Sequence, residues 1–193
     1  MIVMKTEYEA TFLGIDREEL TAHLNALGAM LTRPEYVQRR VTLELPKEKQ
    51  DPNTWLRVRD EGSGKVTLTL KSVDGKSIAG QKEILVEVGS FDDTVALLES
   101  IGCERKSYQE SRRELWQFSD TEIAIDTWPF LDPYVELEGP SEELVREAAV
   151  LLGFDYERAI FDTVNGIYKK KYGKTLDELK LTSLTFDMNN PFS

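Results

Sequence analysis

Stretches in which side chains alternate between two faces at every second residue are the feature that most constrains this fold. Turns of hairpin length, such as Glu61-Gly62-Ser63-Gly64 and Ser119-Asp120, join several of them. Together they predict about eight short strands in an antiparallel sheet closed into a barrel, and they argue against a parallel βαβ sheet. The predicted strands are 3–13, 35–45, 55–60, 65–71, 78–88, 106–118, 121–127 and 133–138.

Helical patterns interrupt these strands, so the predicted class is α+β with helices packed outside the barrel. Asp16, Ser90 and Ser141 stand where N-cap residues are expected. The predicted helices are 15–28, 91–100, 141–152 and 156–172. We therefore expect one domain over residues 1–173, followed by an irregular C-terminal tail over 174–193.

Charge and composition narrow the class of partner. The chain has 193 residues, of which 40% are hydrophobic and 31% charged, as in an ordinary globular protein. A net charge of −11 disfavours nucleic acids and anionic membranes as partners, because both are negatively charged. A polyanionic substrate would need a local group of basic residues or metal ions.

Single residues say little about chemistry. Cys103 is the one cysteine, which fits a reducing, cytoplasmic location and is more typical of a packing residue than of a nucleophile. The lone His23 has no His or Cys cluster nearby, so neither a zinc site nor a Ser-His-Asp triad is expected. The chain opens with no secretory leader pattern and contains no membrane-length apolar run.

The informative feature is a strand face that repeatedly carries charged residues two apart. In a closed barrel that face would line a polar lumen, with acids and bases opposed, and the alternate apolar residues would point outward under the helices. The charged positions are Glu7, Glu9, Arg57, Arg59, Lys71, Glu83, Glu87, Arg113, Asp126, Glu136 and Glu138. The apolar ones are Tyr8, Phe12, Leu56, Val58, Leu68, Leu70, Ile84, Val86, Ile125, Val135 and Leu137.

Such a lumen would suit a triphosphate held with a divalent cation. Arginine donates planar, bidentate hydrogen bonds to phosphate oxygens, and lysine adds a point charge. Carboxylates bind hard cations such as Mg²⁺, which bridge phosphate oxygens and offset their charge. Phosphoryl transfer depends mainly on positioning and electrostatics, so no nucleophilic side chain is needed.

The ordered set from Glu7-Tyr8-Glu9 through Arg57-Val58-Arg59 to Glu136-Leu137-Glu138 resembles the CYTH superfamily over roughly residues 4–170. That superfamily, also called the triphosphate tunnel metalloenzymes, includes class IV adenylate cyclases, thiamine triphosphatases and inorganic triphosphatases. The segment Ile125-Asp126-Thr127-Trp128-Pro129 is most similar to the prokaryotic CyaB-like branch.

The resemblance implies a role for each position. Glu7, Glu9, Glu136 and Glu138, with help from Asp126, would bind Mg²⁺ or Mn²⁺. Arg57, Arg59, Lys71 and Arg113 would bind phosphate, and Lys71, Arg113 and Asp126 would also serve catalysis. Glu83 and Glu87 are further candidates, because only part of the family's mid-chain acidic pattern is present and Leu85 stands between them.

One departure from the family pattern bears on activity. The opening motif of the family is E-x-E-x-K, and Thr11 stands here in place of the lysine. Three consequences stay open: activity weaker than in the family, a different substrate, or a cation supplied by Arg39, Arg40 or Arg112.

Three functions follow from the resemblance. The first is metal-dependent hydrolysis of a nucleoside, inorganic or thiamine triphosphate by attack of water. The alternatives are an adenylate cyclase that converts ATP to cyclic AMP and pyrophosphate, and a triphosphate- or polyphosphate-binding module without turnover. The resemblance also allows a homodimer.

Overall fold

A computed structural model describes residues 4–192, and within them the chain forms nine strands and four α-helices. The strands are β1 (Lys5–Phe12), β2 (Met30–Glu44), β3 (Thr54–Asp60), β4 (Val66–Val73), β5 (Gln81–Val88), β6 (Glu104–Phe118), β7 (Thr121–Thr127), β8 (Tyr134–Gly139) and β9 (Ser183–Leu184). The α-helices are α1 (Arg17–Ala26), α2 (Phe91–Ser100), α3 (Glu142–Leu151) and α4 (Val164–Tyr172), and short 3₁₀ turns occupy Lys47–Lys49 and Tyr156–Arg158.

Eight of the strands close into an antiparallel barrel, which confirms the predicted fold. Their order is β2-β3-β4-β5-β1-β8-β7-β6, and β6 pairs back with β2 to close the ring. β9 adds to the outside of β6 in a short parallel pairing. Closure leaves the eight barrel strands without a free edge, so each has a neighbour on both sides over part of its length.

The apolar faces of the strands point outward and are covered by helices, as the alternation predicts. Strands β1, β7 and β8 pack beneath α1 and α3, where Leu24 and Val145 are fully buried. Strands β2 and β3 pack beneath α2 through Val41 and Val58. Among the residues expected under helices, Val86 is instead 47% exposed on the outer face of the barrel.

A third apolar cluster joins α4 and the C-terminal tail to the barrel. Tyr134 and Trp128 pack here with Tyr168 of α4, and Leu176 and Leu184 of the tail complete the cluster. Phe192 stacks on Tyr168 and Tyr172 with ring centroids 5.0 and 4.4 Å apart. The described tail residues are thus packed, and the domain boundary after residue 173 stays a prediction.

Several predicted boundaries differ from the structure. The helix predicted over 156–172 is divided, because Ile160 is extended and exchanges two backbone hydrogen bonds with Thr11. β2 begins at Met30 rather than residue 35, since its first part already pairs with β6 through irregular register on either side of Pro34. The predicted start of the first strand at Val3 lies outside the described residues.

None of the helices in the described part of the chain is long and apolar enough to span a membrane.

Candidate functional site: a charged tunnel

The barrel divides lengthwise into two walls of opposite charge. Four adjacent strands (β6, β2, β3 and β4) carry the basic wall, which consists of Arg113, Arg40, Arg57, Arg59 and Lys71. The other four (β5, β1, β8 and β7) carry the acidic wall, which consists of Glu83, Glu7, Glu9, Glu136, Glu138 and Asp126. Cross-strand register puts these positions on one face of the sheet, as in the pairs Arg40↔Arg59 and Glu9↔Glu138.

Ion pairs link the two walls. Lys71 Nζ lies 3.0 Å from Glu7 Oε2, and Arg57 lies 3.8 Å from Glu83. At the seam between β6 and β7, Arg113 donates to both oxygens of Asp126 at 2.7 and 2.5 Å. These side chains are at most 18% exposed, so their charges interact in a poorly screened environment.

Arg113 is the most strongly stabilised cation of the basic wall. A second contact joins its guanidinium to Glu136 at 2.6 Å. Burial alone would lower its pKa, but Asp126 and Glu136 raise the pKa of Arg113 well above its ordinary value. We expect Arg113 to remain charged at every pH at which the protein is folded.

The acidic wall holds carboxylates that repel one another. Glu9, Glu138 and the exposed Glu122 face each other across β1, β8 and β7. Burial, together with the charges of Glu7 and Glu9, raises the pKa of Glu138 to about 7. Burial and the charges of Glu9 and Asp126 likewise raise the pKa of Glu136 well above its ordinary value. Like charges directly opposite destabilise a sheet, so this wall is incomplete without a positive partner.

Glu7 and Glu83 form a tightly coupled pair beside Lys71. Burial raises the pKa of Glu7, but Lys71 outweighs it and lowers the pKa overall. Burial and the neighbouring charge of Glu7 raise the pKa of Glu83. Lys71 Nζ lies 3.0 Å from Glu7 Oε2, so this carboxylate oxygen is already ion-paired inside the lumen.

Thr11 faces the lumen and is 1% exposed, opposite Glu136 on β8. Of the three arginines considered as substitutes for a cation there, only Arg40 lies in the lumen. Arg39 is outside the barrel, where it contacts Asp60 at 3.0 Å and stacks on Phe91. Arg112 is exposed and stacks on Phe186 of the tail.

Several lumen residues were not among the site residues predicted from the sequence. Glu61, just beyond β3, is buried and accepts from Arg59 and Gln38, each at 2.5 Å. Thr67 and Thr69 on β4 are buried with hydroxyls that lack hydrogen-bond partners within the described residues. The alternation of Gln38, Arg40 and Thr42 in the second strand is the signal that could have located this part of the lumen.

Three residues considered from the sequence lie away from the tunnel. Glu87, a further site candidate, is 68% exposed and pairs with the exposed Lys65, so it is not brought together with the buried acids. Cys103 is buried in the cluster beneath α2, and burial raises the pKa of its thiol, as expected for a packing residue. His23 is exposed on α1.

Two cavities lie on the outside of the barrel and are lined by residues other than those of the charged lumen. One, of about 550 Å³, lies between α1 and β6 and includes Arg17 and Trp116. The other, of about 320 Å³, lies beside α3 and includes Lys76 and Tyr156. Neither is lined by the charged residues of the two walls, so the charged lumen is a separate feature.

The sequence of the chain that forms this barrel matches a known family. Residues 6–167 match the family model of the CYTH domain. The chain belongs to the CYTH domain family. No curated protein matches the chain in sequence.

Solved structures share the CYTH fold at low identity. A conserved hypothetical protein from Pyrococcus furiosus is 22% identical, with a TM-score of 0.67 over 80% of this chain and 94% of that one. A candidate adenylate cyclase from Vibrio parahaemolyticus is 11% identical, with a TM-score of 0.75 over 86% and 98%. A candidate adenylyl cyclase from Hippeastrum, with dominant triphosphatase activity, is 13% identical, with a TM-score of 0.55 over 90% and 98%. At these identities the likeness establishes the fold.

The CYTH resemblance implies a divalent metal, and the acidic wall fits one chemically. Its donors are carboxylate oxygens, which hard cations such as Mg²⁺ and Mn²⁺ prefer. Mutual repulsion around Glu138 is the feature that a cation would relieve. Within residues 4–192, however, no group of three or more His, Cys, Asp or Glu side chains is already drawn together around a point where a metal could bind.

Proposed function

We propose that this CYTH protein is an enzyme that hydrolyses a triphosphate with the help of Mg²⁺ or Mn²⁺, by attack of water. The observation that carries the proposal is the division of one buried lumen into a basic and an acidic wall. A metal triphosphate has the same two faces, since its oxygens need cations and its metal needs carboxylates.

On this proposal, the basic wall exchanges its internal partners for substrate. Arg57 and Lys71 would release Glu83 and Glu7 and bind phosphate oxygens in their place, together with Arg59 and Arg113. Because these cations are already desolvated, turning from a carboxylate to a phosphate exposes no new charge to an apolar environment. Lys71 and Arg113 would stabilise charge that develops on the phosphoryl group, and Asp126 would hold Arg113 in position.

The acidic wall would hold the metal. Glu7, Glu9, Glu136 and Glu138 would be its ligands, with Asp126 as a further ligand or support. When bound, a divalent ion would offset phosphate charge and make water a better nucleophile. Glu138 must lose its proton to act as a ligand, so we expect metal affinity to rise as the pH passes about 7.

An adenylate cyclase is the second candidate, favoured by the likeness to the Vibrio protein. In that reaction the 3′-hydroxyl oxygen of ATP attacks the α-phosphorus, the bond to the bridging oxygen breaks, and pyrophosphate leaves. The same walls would serve, but the ribose and base would have to be held at the tunnel mouth. A binding module without turnover is the third candidate, favoured by Thr11 in the lumen.

One experiment separates these functions. Purified protein is incubated with ATP, inorganic triphosphate and thiamine triphosphate, each with Mg²⁺ or Mn²⁺, and the products are resolved by chromatography. Free phosphate supports the hydrolase, cyclic AMP with pyrophosphate supports the cyclase, and tight binding without product supports the module. If no triphosphate binds with either metal, the tunnel proposal is wrong.

A double variant, Arg57→Ala with Arg59→Ala, controls for contaminating phosphatases. We expect it to fold and to lose both binding and turnover, because two phosphate ligands are removed together. Product formation that survives in the folded variant would come from a contaminant. Outright unfolding would instead assign these arginines a structural role.

We further propose a cytoplasmic location, consistent with the single cysteine, and a small-molecule substrate rather than a nucleic acid or membrane partner, consistent with the net charge of −11. A homodimer is proposed from the resemblance alone. Size-exclusion chromatography with light scattering would test it, and a mass near 22.1 kDa would exclude it.

A further inference from the structure

Arg40 differs from the other cations of the basic wall because it has no ionic partner in the described part of the chain. It is 6% exposed on β2, inside the barrel. Arg57, Arg59, Lys71 and Arg113 each contact a carboxylate within 4 Å. Among residues 4–192, no carboxylate lies that close to the guanidinium of Arg40. A buried charge of this kind is costly unless something else neutralises it.

The contacts that Arg40 does make fix its direction without offsetting its charge. It donates to Gln38 Oε1 at 2.9 Å and to Ser111 Oγ. Its guanidinium stacks on the Trp128 ring, 4.4 Å from the centroid. Its Nε is buried and has no hydrogen-bond partner in the described part of the chain. The group is therefore held in one orientation by neutral neighbours while a donor is left unused.

The surroundings of Arg40 add to its positive charge. Burial, and then the neighbouring charges of Arg59, Arg57 and Arg113, lower its pKa to about 9, with only Asp126 acting in the opposite sense. The ring of Trp128 belongs to the third apolar cluster, so this side of the lumen is packed with apolar groups rather than open to water. Counter-ions from bulk solvent are thus a poor source of compensation.

Other unused donors lie in the same part of the lumen. Cross-strand register aligns Arg40 with Arg59 and Thr67, and Arg57 with Thr69. The Nε of Arg57 and the hydroxyls of Thr67 and Thr69 are buried and lack hydrogen-bond partners among residues 4–192. Unsatisfied donors on the same inner face as a guanidinium that has no carboxylate partner within the described residues complement an anion with several oxygens.

We propose that Arg40 is a binding residue for a phosphate group, while the hydroxyls of Thr67 and Thr69, two strands away on the same inner face, would bind other oxygens of the same anion. The inference rests on the proposed function in that the anion is a phosphate of the triphosphate. Because the Arg40 guanidinium stacks on Trp128, the phosphate that it binds would lie next to the apolar cluster that contains this ring.

The test compares Arg40→Met with its neighbour Arg39→Met. Both changes remove a guanidinium from β2, but Arg39 is on the outer face beside Asp60. Inorganic triphosphate is titrated into each protein by calorimetry, and thermal unfolding is followed without ligand. For Arg40→Met we expect affinity to fall by about 30-fold or more, as when one partner of a buried charge pair is removed. For Arg39→Met we expect less than about a twofold change.

The unfolding temperature of the ligand-free variant distinguishes a binding role of Arg40 from a structural one. Removing an uncompensated buried charge should raise the unfolding temperature of ligand-free Arg40→Met, whereas removing a structural residue should lower it. Unchanged triphosphate affinity, or reduced affinity with a lowered unfolding temperature, would overturn the proposal.

A second experiment tests the role of Arg40 independently of the proposed function. If wild-type protein binds no triphosphate, the proposed function fails, and inorganic phosphate alone is then used as the probe. Stabilisation of the wild type by phosphate, absent in Arg40→Met, would still support an anion subsite at Arg40. Equal stabilisation of both proteins, or of neither, would overturn it.

Discussion

The two walls of the tunnel both consist of charged side chains on neighbouring strands, but they differ in how many of these side chains have a partner of opposite charge. Four of the five basic side chains already have a carboxylate partner, whereas Arg40 has none within residues 4–192. On the acidic wall, Glu138 meets Glu9 and Glu122 in register, and the exposed Lys5 approaches it at 3.6 Å. The basic wall is thus prepared for its ligand, whereas the acidic wall needs a cation to relieve repulsion within the sheet.

Neutralising the acidic wall should have the largest effect on turnover. In the double variant Glu136→Gln with Glu138→Gln, we expect metal-dependent triphosphate turnover to fall on the order of 1,000-fold, because two proposed metal ligands are removed. Binding of inorganic triphosphate in EDTA should be retained or strengthened, since negative charge is lost from the lumen. Steady-state phosphate release and calorimetry measure the two quantities.

The matched control is Glu143→Gln with Glu147→Gln, two exposed carboxylates of α3. It should behave as the wild type. If the tunnel variant lost metal-free triphosphate binding by the same factor as turnover, the walls would not have the separate roles given to them here.

Removing one arginine of the basic wall should have the next largest effect, a loss of triphosphate affinity. We expect Arg57→Met to weaken triphosphate binding by about 30-fold or more, with little change in Mn²⁺ binding. Glu83, left without Arg57, can accept a proton because its pKa is already raised by burial and by Glu7. Lys65→Met, on the exposed hairpin, should leave both affinities unchanged, and equal losses in the two variants would indicate general electrostatic attraction.

The acidic wall should also make stability depend on pH. The pKa of Glu138 is about 7 in the folded protein and has an ordinary value of 4.5 when unfolded, so the folded state binds the proton more tightly. Its contribution is therefore fully present below about pH 4.5 and is lost as the pH rises through about 7.

Urea unfolding in EDTA, compared between wild type and Glu138→Gln, measures this contribution. We expect the wild type to lose stability relative to the variant between about pH 5 and about pH 8. Adding Mn²⁺ should reduce the loss. Parallel pH curves for the two proteins would show that the Glu138 carboxylate is not repelled by its neighbours.

The smallest effect is expected at Glu87, which shares a strand face with the acidic wall but lies outside it. Its pair with Lys65 is exposed and should contribute less than about 1 kcal/mol. We expect Glu87→Gln to change turnover by less than about twofold, and Glu83→Gln to change it more, because Glu83 contacts Arg57 and lies beside Glu7. A larger effect of Glu87→Gln would extend the acidic wall towards the mouth.

Much of the fold could be predicted because alternation fixes which side chains share a face. Residues such as Tyr8, Phe12 and Val135 point under the helices as predicted, since one face of each strand must be buried. Boundaries were less predictable where a contact distant in sequence overrides local preference. Ile160 is the example, because its pairing with Thr11 interrupts a segment with a helical pattern.

For the site, the sequence pattern selected residues that the fold brings together, with Glu87 as the exception, while their roles stay predictions. It did not select Glu61, Thr67 or Thr69, because a polar residue in a hairpin strand is compatible with either solvent or lumen. Nor could it choose among Arg39, Arg40 and Arg112, which have the same chemistry at neighbouring positions.

The sequence by itself determined the barrel, the outward apolar faces and the charged inner face, since these follow from a two-residue period and the need to bury apolar surface. The sequence also predicted acids opposite bases, but tertiary structure alone decided which strands carry each wall, because strand order depends on pairings between residues far apart in the chain. It also decided that Arg40 is buried without a counter-charge, since the surroundings of one side chain are set by every strand that closes around it.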